Sequence, residues 1–226
     1  MKTASRNMYV SRSVFILLIV LLSASCSFVG VRSDLEQPHY EVVEVLSKSL
    51  EIRRYGSRLA IETTVQGGDI RKGRRRAFRR LFNYINGANE PGRKITMTAP
   101  VETASAASGL GVKIPMTAPV GTTASNHHTL MRFFLPSGLS TETAPRPTDP
   151  QVSVVTVPEQ TLAALRFTGI ASEGSLAIQK NRLTADLAST HWKAQGTVTA
   201  YYYDPPWTLP FMRRNEVVVV VYGGKK

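Results

Sequence analysis

Apolar and polar residues alternate with a period of two in several short stretches of the chain, which is the pattern of half-buried β-strands. In the first part of the chain these stretches cover residues 40–46, 50–56 and 58–65. Two glycines then interrupt the pattern, and Asp69 stands where a helix N-cap is expected. The spacing changes to that of a helix over residues 70–86, which ends before Gly87.

A phrase of eight residues occurs twice after this helix. Residues 94–101 read KITMTAPV, and residues 113–120 read KIPMTAPV. In each copy Ile, Met, Ala and Val alternate with other residues, so each copy predicts a strand with one apolar face. Pro100 and Pro119 fit a strand edge or bulge, and the glycine-containing residues 102–112 fit a hairpin link. Residues 131–136 predict a further strand.

The second half of the chain repeats this order of elements after a loop rich in Ser, Thr and Pro at residues 137–150. Residues 152–157 and 161–169 predict strands, residues 173–189 a helix, and residues 197–203 and 215–222 two more strands. Two halves with the order βαββ follow from this reading, and the fold class is α+β.

The first 33 residues have a different character. A basic stretch precedes nine apolar residues at 14–22, and small residues follow, which is the pattern of a secretory signal peptide. The alternative is an uncleaved membrane anchor at residues 13–31, which carry no charge. We therefore expect a leader at residues 1–33, a single domain at residues 34–226, and a secreted protein or one in the secretory pathway.

The composition narrows the classes of function. Cys26 is the only cysteine and lies in the leader, so the mature chain would have neither a disulfide nor a thiolate ligand. Outside the leader 24 basic residues face 16 acidic ones, a surplus of eight positive charges that favours anionic partners. The four histidines show no metal-binding spacing, and no nucleophile elbow or phosphate-binding loop occurs. We expect no enzyme and no metal site.

The first helix carries the most informative chemistry. Seven of the ten residues at 71–80 are basic. At about 100° per residue, Arg71 and Arg75 lie at the edge of an apolar arc and on the same side as Phe78 and Phe82. Aromatic rings bordered by guanidinium groups suit a flat apolar ligand with carboxylates. The pattern alone favours a core-packing helix with a solvated basic back. Nucleic-acid binding is a third interpretation, which the leader disfavours.

A second unusual phrase lies near the end of the chain. Residues 201–221 read YYYDPPWTLPFMRRNEVVVVV. Two prolines force an extended turn after three tyrosines. Trp207, Leu209 and Phe211 are apolar residues in this turn, so we expect them to pack against the end of a barrel or against a ligand.

The order of four segments resembles the SOUL haem-binding protein family. These segments are YEVVE followed by LEIRRYG, then YINGANEPGRKITMTAPV, RFFLP and YDPPWTLPFMRRNEV. The doubled MTAPV and the PPWTLP turn are most similar to its plant and algal branch. The resemblance implies a distorted antiparallel β-barrel of two pseudo-symmetric βαββ halves with two helices. It also implies a non-enzymatic protein that binds haem or free porphyrins in a shallow groove along the first helix.

The resemblance also implies candidate ligand contacts. Arg75 matches an arginine thought to meet a propionate, whereas the position of a second, lysine contact is Asn83 here, so Arg71 or Arg79 would substitute. A histidine proposed as an iron ligand in some members is replaced by Arg54, so we expect no fixed axial ligand. Phe78 and Phe82 would pack on the macrocycle, with Met97, Met116 and Tyr203 as further contacts.

Two functions are compatible with these features. The first is a monomeric carrier or buffer of haem or protoporphyrin. The alternative is an interaction module that uses the barrel and the basic helix on a protein or membrane surface, with tetrapyrrole binding incidental. We expect at most weak membrane-surface contact and no nucleic-acid partner.

Overall fold

A computed structural model describes residues 35–67, 69–107 and 127–223. In this part the chain forms two α-helices and eleven β-strands, which confirms the α+β class. The helices are Ile70–Ile85 (α1) and Glu173–Ala188 (α2). The strands are Tyr40–Ser47 (β1), Leu50–Tyr55 (β2), Arg58–Gln66 (β3), Asn89–Glu90 (β4), Val101–Ala107 (β5), His127–Phe134 (β6), Arg146–Pro147 (β7), Ser153–Val157 (β8), Gln160–Phe167 (β9), Trp192–Tyr202 (β10) and Asn215–Gly223 (β11).

Nine of these strands form one antiparallel sheet in the order β1-β2-β9-β11-β10-β5-β6-β3-β8, while β4 and β7 pair separately. Both halves have the same topology. In the first half β3, α1, β5 and β6 follow one another and β6 pairs with β3 and β5. In the second half β9, α2, β10 and β11 follow one another and β11 pairs with β9 and β10. The halves join where β5 pairs with β10 through three residue pairs.

Each half also receives a strand from the other side of the chain midpoint. β2 pairs with β9 of the second half, and β8 pairs with β3 of the first. Only Gly56 and Ser57 separate β2 from β3, although these strands lie second and eighth in the sheet. The sheet is therefore strongly curled. The described sheet has no hydrogen-bonded pair between its end strands β1 and β8, so the expected closed barrel is not seen.

The two faces of the sheet have different neighbours. Both helices cover one face, α2 over residues of β9 and β11 and α1 over residues of β3 and β6. Tyr202 packs against both of these core clusters, so it lies in the seam between the helices. The opposite, inner face closes on itself around Tyr55, Phe134 and Tyr201. Successive side chains of each strand therefore point alternately into the core under the helices and into the core on the inner face.

The prediction of a strand at residues 94–101 is wrong over most of its length, because β5 begins only at Val101. Pro100 has no N–H to donate to a ladder. Its neighbour Ala99 donates its N–H to the carbonyl of Glu36 at 2.9 Å, and Thr98 uses its hydroxyl on the carbonyl of Phe134. The apolar residues of this segment do not share one face, as a strand would require. Ile95 and Met97 pack against the core under α1, whereas Ala99 packs on the inner face.

The expectation of a hairpin link at residues 102–112 is wrong for residues 102–107, which form most of β5 and pair with β6. The rest of the link and the second copy of the phrase with Met116 lie outside the described residues, as do residues 1–34 with the expected leader. Among the residues that the structure describes, no helix has the length and apolar character needed to cross a membrane.

Candidate functional site

Helix α1 is fixed at its start and along its buried side. The side chain of Asp69 accepts hydrogen bonds from the backbone N–H groups of Arg71 (2.7 Å) and Lys72 (3.2 Å), as an N-cap residue does. Buried apolar residues at helical spacing, such as Ala77 and Leu81, pack against the sheet. Gly73 allows the helix to approach β6 closely, because a Cβ there would lie 3.0 Å from Thr129 Oγ1.

Two aromatic rings lie along the edge of this helix. Phe78 and Phe82 are 38% and 42% exposed, and their rings stack with centroids 5.6 Å apart and planes 16° apart. Phe133 of β6 contacts Phe78 from the side of the sheet, and the centroids of these two rings are 5.3 Å apart in an edge-on arrangement. Half-exposed stacked rings on a rigid helix form a flat apolar surface that a planar ligand can cover.

The positive charge around these rings is not neutralised by neighbouring residues. Helix α1 contains no acidic residue, and Arg71, Arg75 and Arg79 are exposed. Within the described ranges, Arg80 is the one member of the helix with an ion pair, at 3.8 Å from Asp149. The exposed guanidinium groups are therefore available for carboxylates of a ligand.

The remaining predicted contacts lie in different places. Met97 is half-buried and packs against the core cluster of α1. Tyr203 is 3% exposed and lies on the inner face, where its hydroxyl donates to Glu216 at 2.7 Å and Arg214 covers its ring at 3.9 Å. The structure thus brings Arg71, Arg75, Phe78 and Phe82 together on one helix but does not bring Tyr203 to them.

Arg54, which stands where some members of the resembled family carry a histidine, lies on the surface. Arg54 is exposed on β2 and pairs with Glu41 at 3.2 Å. In the described part of the chain no three His, Cys, Asp or Glu side chains come together as a metal site would require.

The turn after β10 leaves its apolar residues in solvent. Trp207 and Phe211 are 70% and 72% exposed. Arg213 donates a hydrogen bond from Nε to the carbonyl of Thr208 at 2.7 Å, and this bond holds the turn together. The expectation that these residues pack against the end of a barrel is not met.

The inner face holds charged residues that sequence reasoning did not identify. Glu216 on β11 is fully buried and accepts from Arg53 (2.8 Å), Arg214 (2.7 Å) and Tyr203 (2.7 Å). Burial alone would raise the pKa of Glu216, but the charges of Arg53 and Arg214 outweigh it and hold the pKa below 4.5. The signal in the sequence was a single charged residue, Glu216, at the start of an otherwise apolar strand.

A second charged group lies further along the same face. Arg132 on β6 binds Glu62 at 2.7 Å and Glu102 at 3.3 Å. Burial raises the pKa of Glu102 above 4.5 despite the attraction of Arg132. These side chains are held by one another and stabilise the curled sheet, and they face away from α1.

The family model described as "SOUL heme-binding protein" matches residues 35–220, so the chain belongs to the SOUL haem-binding family. The chain is 27% identical over 194 residues to "Heme-binding protein 2" of Mus musculus, with 82% of this chain and 86% of that protein covered. The placement in a plant and algal branch stays a prediction.

Solved structures share the fold at low sequence identity. The EcmrR C-terminal domain superposes with a TM-score of 0.56 at 11% identity, covering 82% of this chain and 99% of that one. An uncharacterized conserved protein from Listeria innocua gives a TM-score of 0.55 at 11% identity, covering 78% of this chain and 93% of that one. These similarities concern the fold alone.

Proposed function

We propose that this protein binds haem or a free porphyrin as cargo, without catalysing a reaction, and acts as a carrier or buffer. The observation that carries the proposal is the stacked, half-exposed pair Phe78 and Phe82 on a helix whose exposed arginines have no ion pair among the described residues. Membership of the SOUL haem-binding family supports the same ligand class.

In this proposal the macrocycle lies against Phe78 and Phe82, in a shallow groove along α1. The faces of a porphyrin are apolar, so they gain from covering half-exposed rings. Its propionates are carboxylates that Arg75, Arg71 or Arg79 would bind bidentately. Met97 borders the groove, and Met116 is a further candidate contact from the sequence.

The site as proposed contains no fixed axial ligand. Arg54 stands at the position where some members of the family carry a histidine, and it pairs with Glu41. Because the macrocycle and the propionates would supply the binding energy, iron-containing and metal-free porphyrins should bind with similar affinity.

Titration of the purified protein with hemin and with protoporphyrin IX tests the proposal, followed by Soret absorbance and Trp fluorescence. Wild type should saturate, and Phe78→Ala or Phe82→Ala should weaken binding by about tenfold, since a lost aromatic contact costs about 1–2 kcal/mol. Tyr222→Ala, which removes an exposed aromatic ring from β11, is the matched control. Unsaturable binding, or equal binding by all variants, would contradict the site.

A second function is favoured by the basic surface of α1. Helix α1 carries six arginines and one lysine, and Asp149 is their one acidic partner among the described ion pairs, which suits binding to an anionic protein or membrane surface. Binding to anionic vesicles that is lost on reversing the charge of Arg76 and Arg79, together with weak porphyrin binding, would favour this function.

From the leader we propose a location in the secretory pathway or outside the cell. We also propose that the protein is a monomer.

A further inference from the structure

The seam between the two helices contains buried polar atoms without partners. Tyr202 lies at the centre of this seam, because its ring packs against the cores under both helices. Its hydroxyl is buried and has no hydrogen-bond partner among the described residues. Burying a hydroxyl without a hydrogen-bond partner lowers the stability of the folded protein, so we expect a bound molecule to pair with this hydroxyl.

Each helix adds further polar atoms to the same seam. From α1, the Nε of Arg74 is buried and has no hydrogen-bond partner among the described residues. From α2, Lys180 is half-buried. Burial and then the charge of Arg74 lower the pKa of Lys180, and the charge of Arg74 also opposes the rise that burial causes in the pKa of Tyr202, so Arg74 lies near both side chains.

Arg74 and Lys180 therefore repel each other, and no ion pair among the described residues offsets this repulsion. Among the described ion pairs none includes Arg74 or Lys180, and the acidic residue Asp186 on α2 is paired with Arg182 at 3.6 Å. A buried water could accept hydrogen bonds, but it would leave the repulsion between the two cations in place. An anion would satisfy the donors and also cancel this repulsion.

We propose that the seam between α1 and α2 binds an oxyanion, a carboxylate or phosphate group, through Arg74, Lys180 and Tyr202. Arg74 presents a planar set of N–H donors, Lys180 a compact ammonium group and Tyr202 a hydroxyl donor.

The carboxylate of a tetrapyrrole is one source of this oxyanion. Arg74 precedes Phe78 by one helical turn on the same edge of α1, so a single ligand can cover Phe78 and Phe82 and extend one propionate into the seam. This assignment of the ligand rests on the proposed function, whereas the oxyanion site itself does not.

Inorganic phosphate tests the site without a tetrapyrrole. At constant ionic strength, phosphate should raise the Tm of the full-length wild-type protein in a saturable manner. Arg74→Gln and Lys180→Gln should each lower the phosphate affinity by about tenfold, because each removes one charge-assisted contact. Arg166→Gln, at an exposed arginine of β9 outside both helices, should leave it unchanged.

Tyr202→Phe guards against variants that fail to fold, since it removes only the unpaired hydroxyl. It should keep the far-UV circular dichroism and the Tm of the wild type without phosphate, and should weaken phosphate binding severalfold. Equal phosphate affinity in wild type, Arg74→Gln and Tyr202→Phe would overturn the proposal. So would a wild type whose Tm does not respond to phosphate, if Arg74→Gln and Lys180→Gln also leave porphyrin binding unchanged in the next experiment. Water would then be the occupant of the seam.

Protoporphyrin IX and its dimethyl ester identify the source of the oxyanion. Arg74→Gln and Lys180→Gln should weaken binding of the diacid by about tenfold and leave the ester, which lacks carboxylates, unchanged. If the wild type binds phosphate but no porphyrin, the proposed function fails and the oxyanion site stands. If porphyrin binding depends on Phe78 but neither substitution alters porphyrin or phosphate binding, the function stands and the oxyanion site fails.

Discussion

Glu216 illustrates how a charge can be kept inside this molecule. Its side chain is fully buried, yet two guanidinium groups and a tyrosine hydroxyl bind its carboxylate at 2.7–2.8 Å. Taking a carboxylate from water costs several kcal/mol, and only such a complete set of partners offsets that cost. The contribution of the network to stability therefore depends on its being complete, and removing one member leaves each of its partners buried with one bond fewer.

Glu216→Ala should lower the free energy of unfolding by about 3–5 kcal/mol, because Arg53 and Arg214 would lose the buried carboxylate that they bind and Arg53 would keep only the partly exposed Glu51. Urea unfolding followed by circular dichroism measures this loss. Glu41→Ala is the control: its ion pair with Arg54 is exposed, so the loss should stay below about 1 kcal/mol. Similar losses in both variants would show that burial of the pair does not decide its contribution.

Glu102 should make stability depend on pH in the opposite sense to Glu216. Burial raises the folded-state pKa of Glu102 above 4.5, so the folded protein holds this proton when the unfolded chain has released it. Stability is then lost as pH rises from 4.5 through the raised pKa. Glu102→Gln should lack this loss, so its free energy of unfolding relative to wild type should increase with pH over that window.

Glu216→Gln provides the comparison for this experiment. The folded-state pKa of Glu216 lies below 4.5, so its contribution is present above pH 4.5 and is lost as pH falls through the lower pKa. The acid-side loss should therefore flatten in this variant. Urea unfolding at a series of pH values measures both effects, and parallel curves for wild type and Glu102→Gln would contradict the assignment.

At the scale of elements, the contact between α1 and β6 depends on a residue without a side chain. Gly73→Leu should lower the free energy of unfolding by about 1–3 kcal/mol, since even a Cβ lies 3.0 Å from Thr129 Oγ1. The matched change in α2, Gly174→Leu, meets no atom within 4 Å and should be neutral or stabilising. Thermal unfolding of both variants measures the difference, and equal shifts would show that α1 is free to move from the sheet.

Elements with a strong local signal were predictable. Helix α1 begins at Ile70 after the Asp69 cap, as the sequence predicts, and the alternation in β2, β3, β9 and β11 gives their positions to within two residues. The strand expected at residues 94–101 failed because Pro100 and distant carbonyl groups determine where the backbone of that segment hydrogen-bonds. That information is tertiary and has no local pattern.

Charged residues within strands were predictable in position but not in environment. Arg53, Glu102 and Glu216 each follow or precede an apolar residue in a strand, which is also expected of a strand with one solvent-exposed face. Only the curling of the sheet buries that face, and curling depends on pairings between residues more than a hundred positions apart. In the same way Arg74 was one of seven basic residues, and the position of α2 alone distinguishes it.

At the scale of the whole molecule, the excess of basic residues should speed the capture of an anionic ligand. The chain has 28 Lys and Arg against 16 Asp and Glu. Raising the ionic strength from about 0.01 M to 1 M shortens the Debye length from about 30 Å to 3 Å. The association rate constant of protoporphyrin IX should fall by about tenfold or more, with a smaller effect on dissociation.

Stopped-flow fluorescence at a series of salt concentrations measures these rates. The uncharged dimethyl ester is the control, because its association should be nearly independent of salt. An equal decrease for the diacid and the ester would exclude electrostatic attraction as the cause.

The exchange of β2 and β8 between the halves makes them interlocked. A fragment that ends in the loop at residues 137–150 would contain β2 without β9 and β3 without β8. The remaining fragment would expose the corresponding edges of β9 and β8. Although the same βαββ order occurs twice, neither copy is an autonomous folding unit, and the native sheet can form only when both are present together.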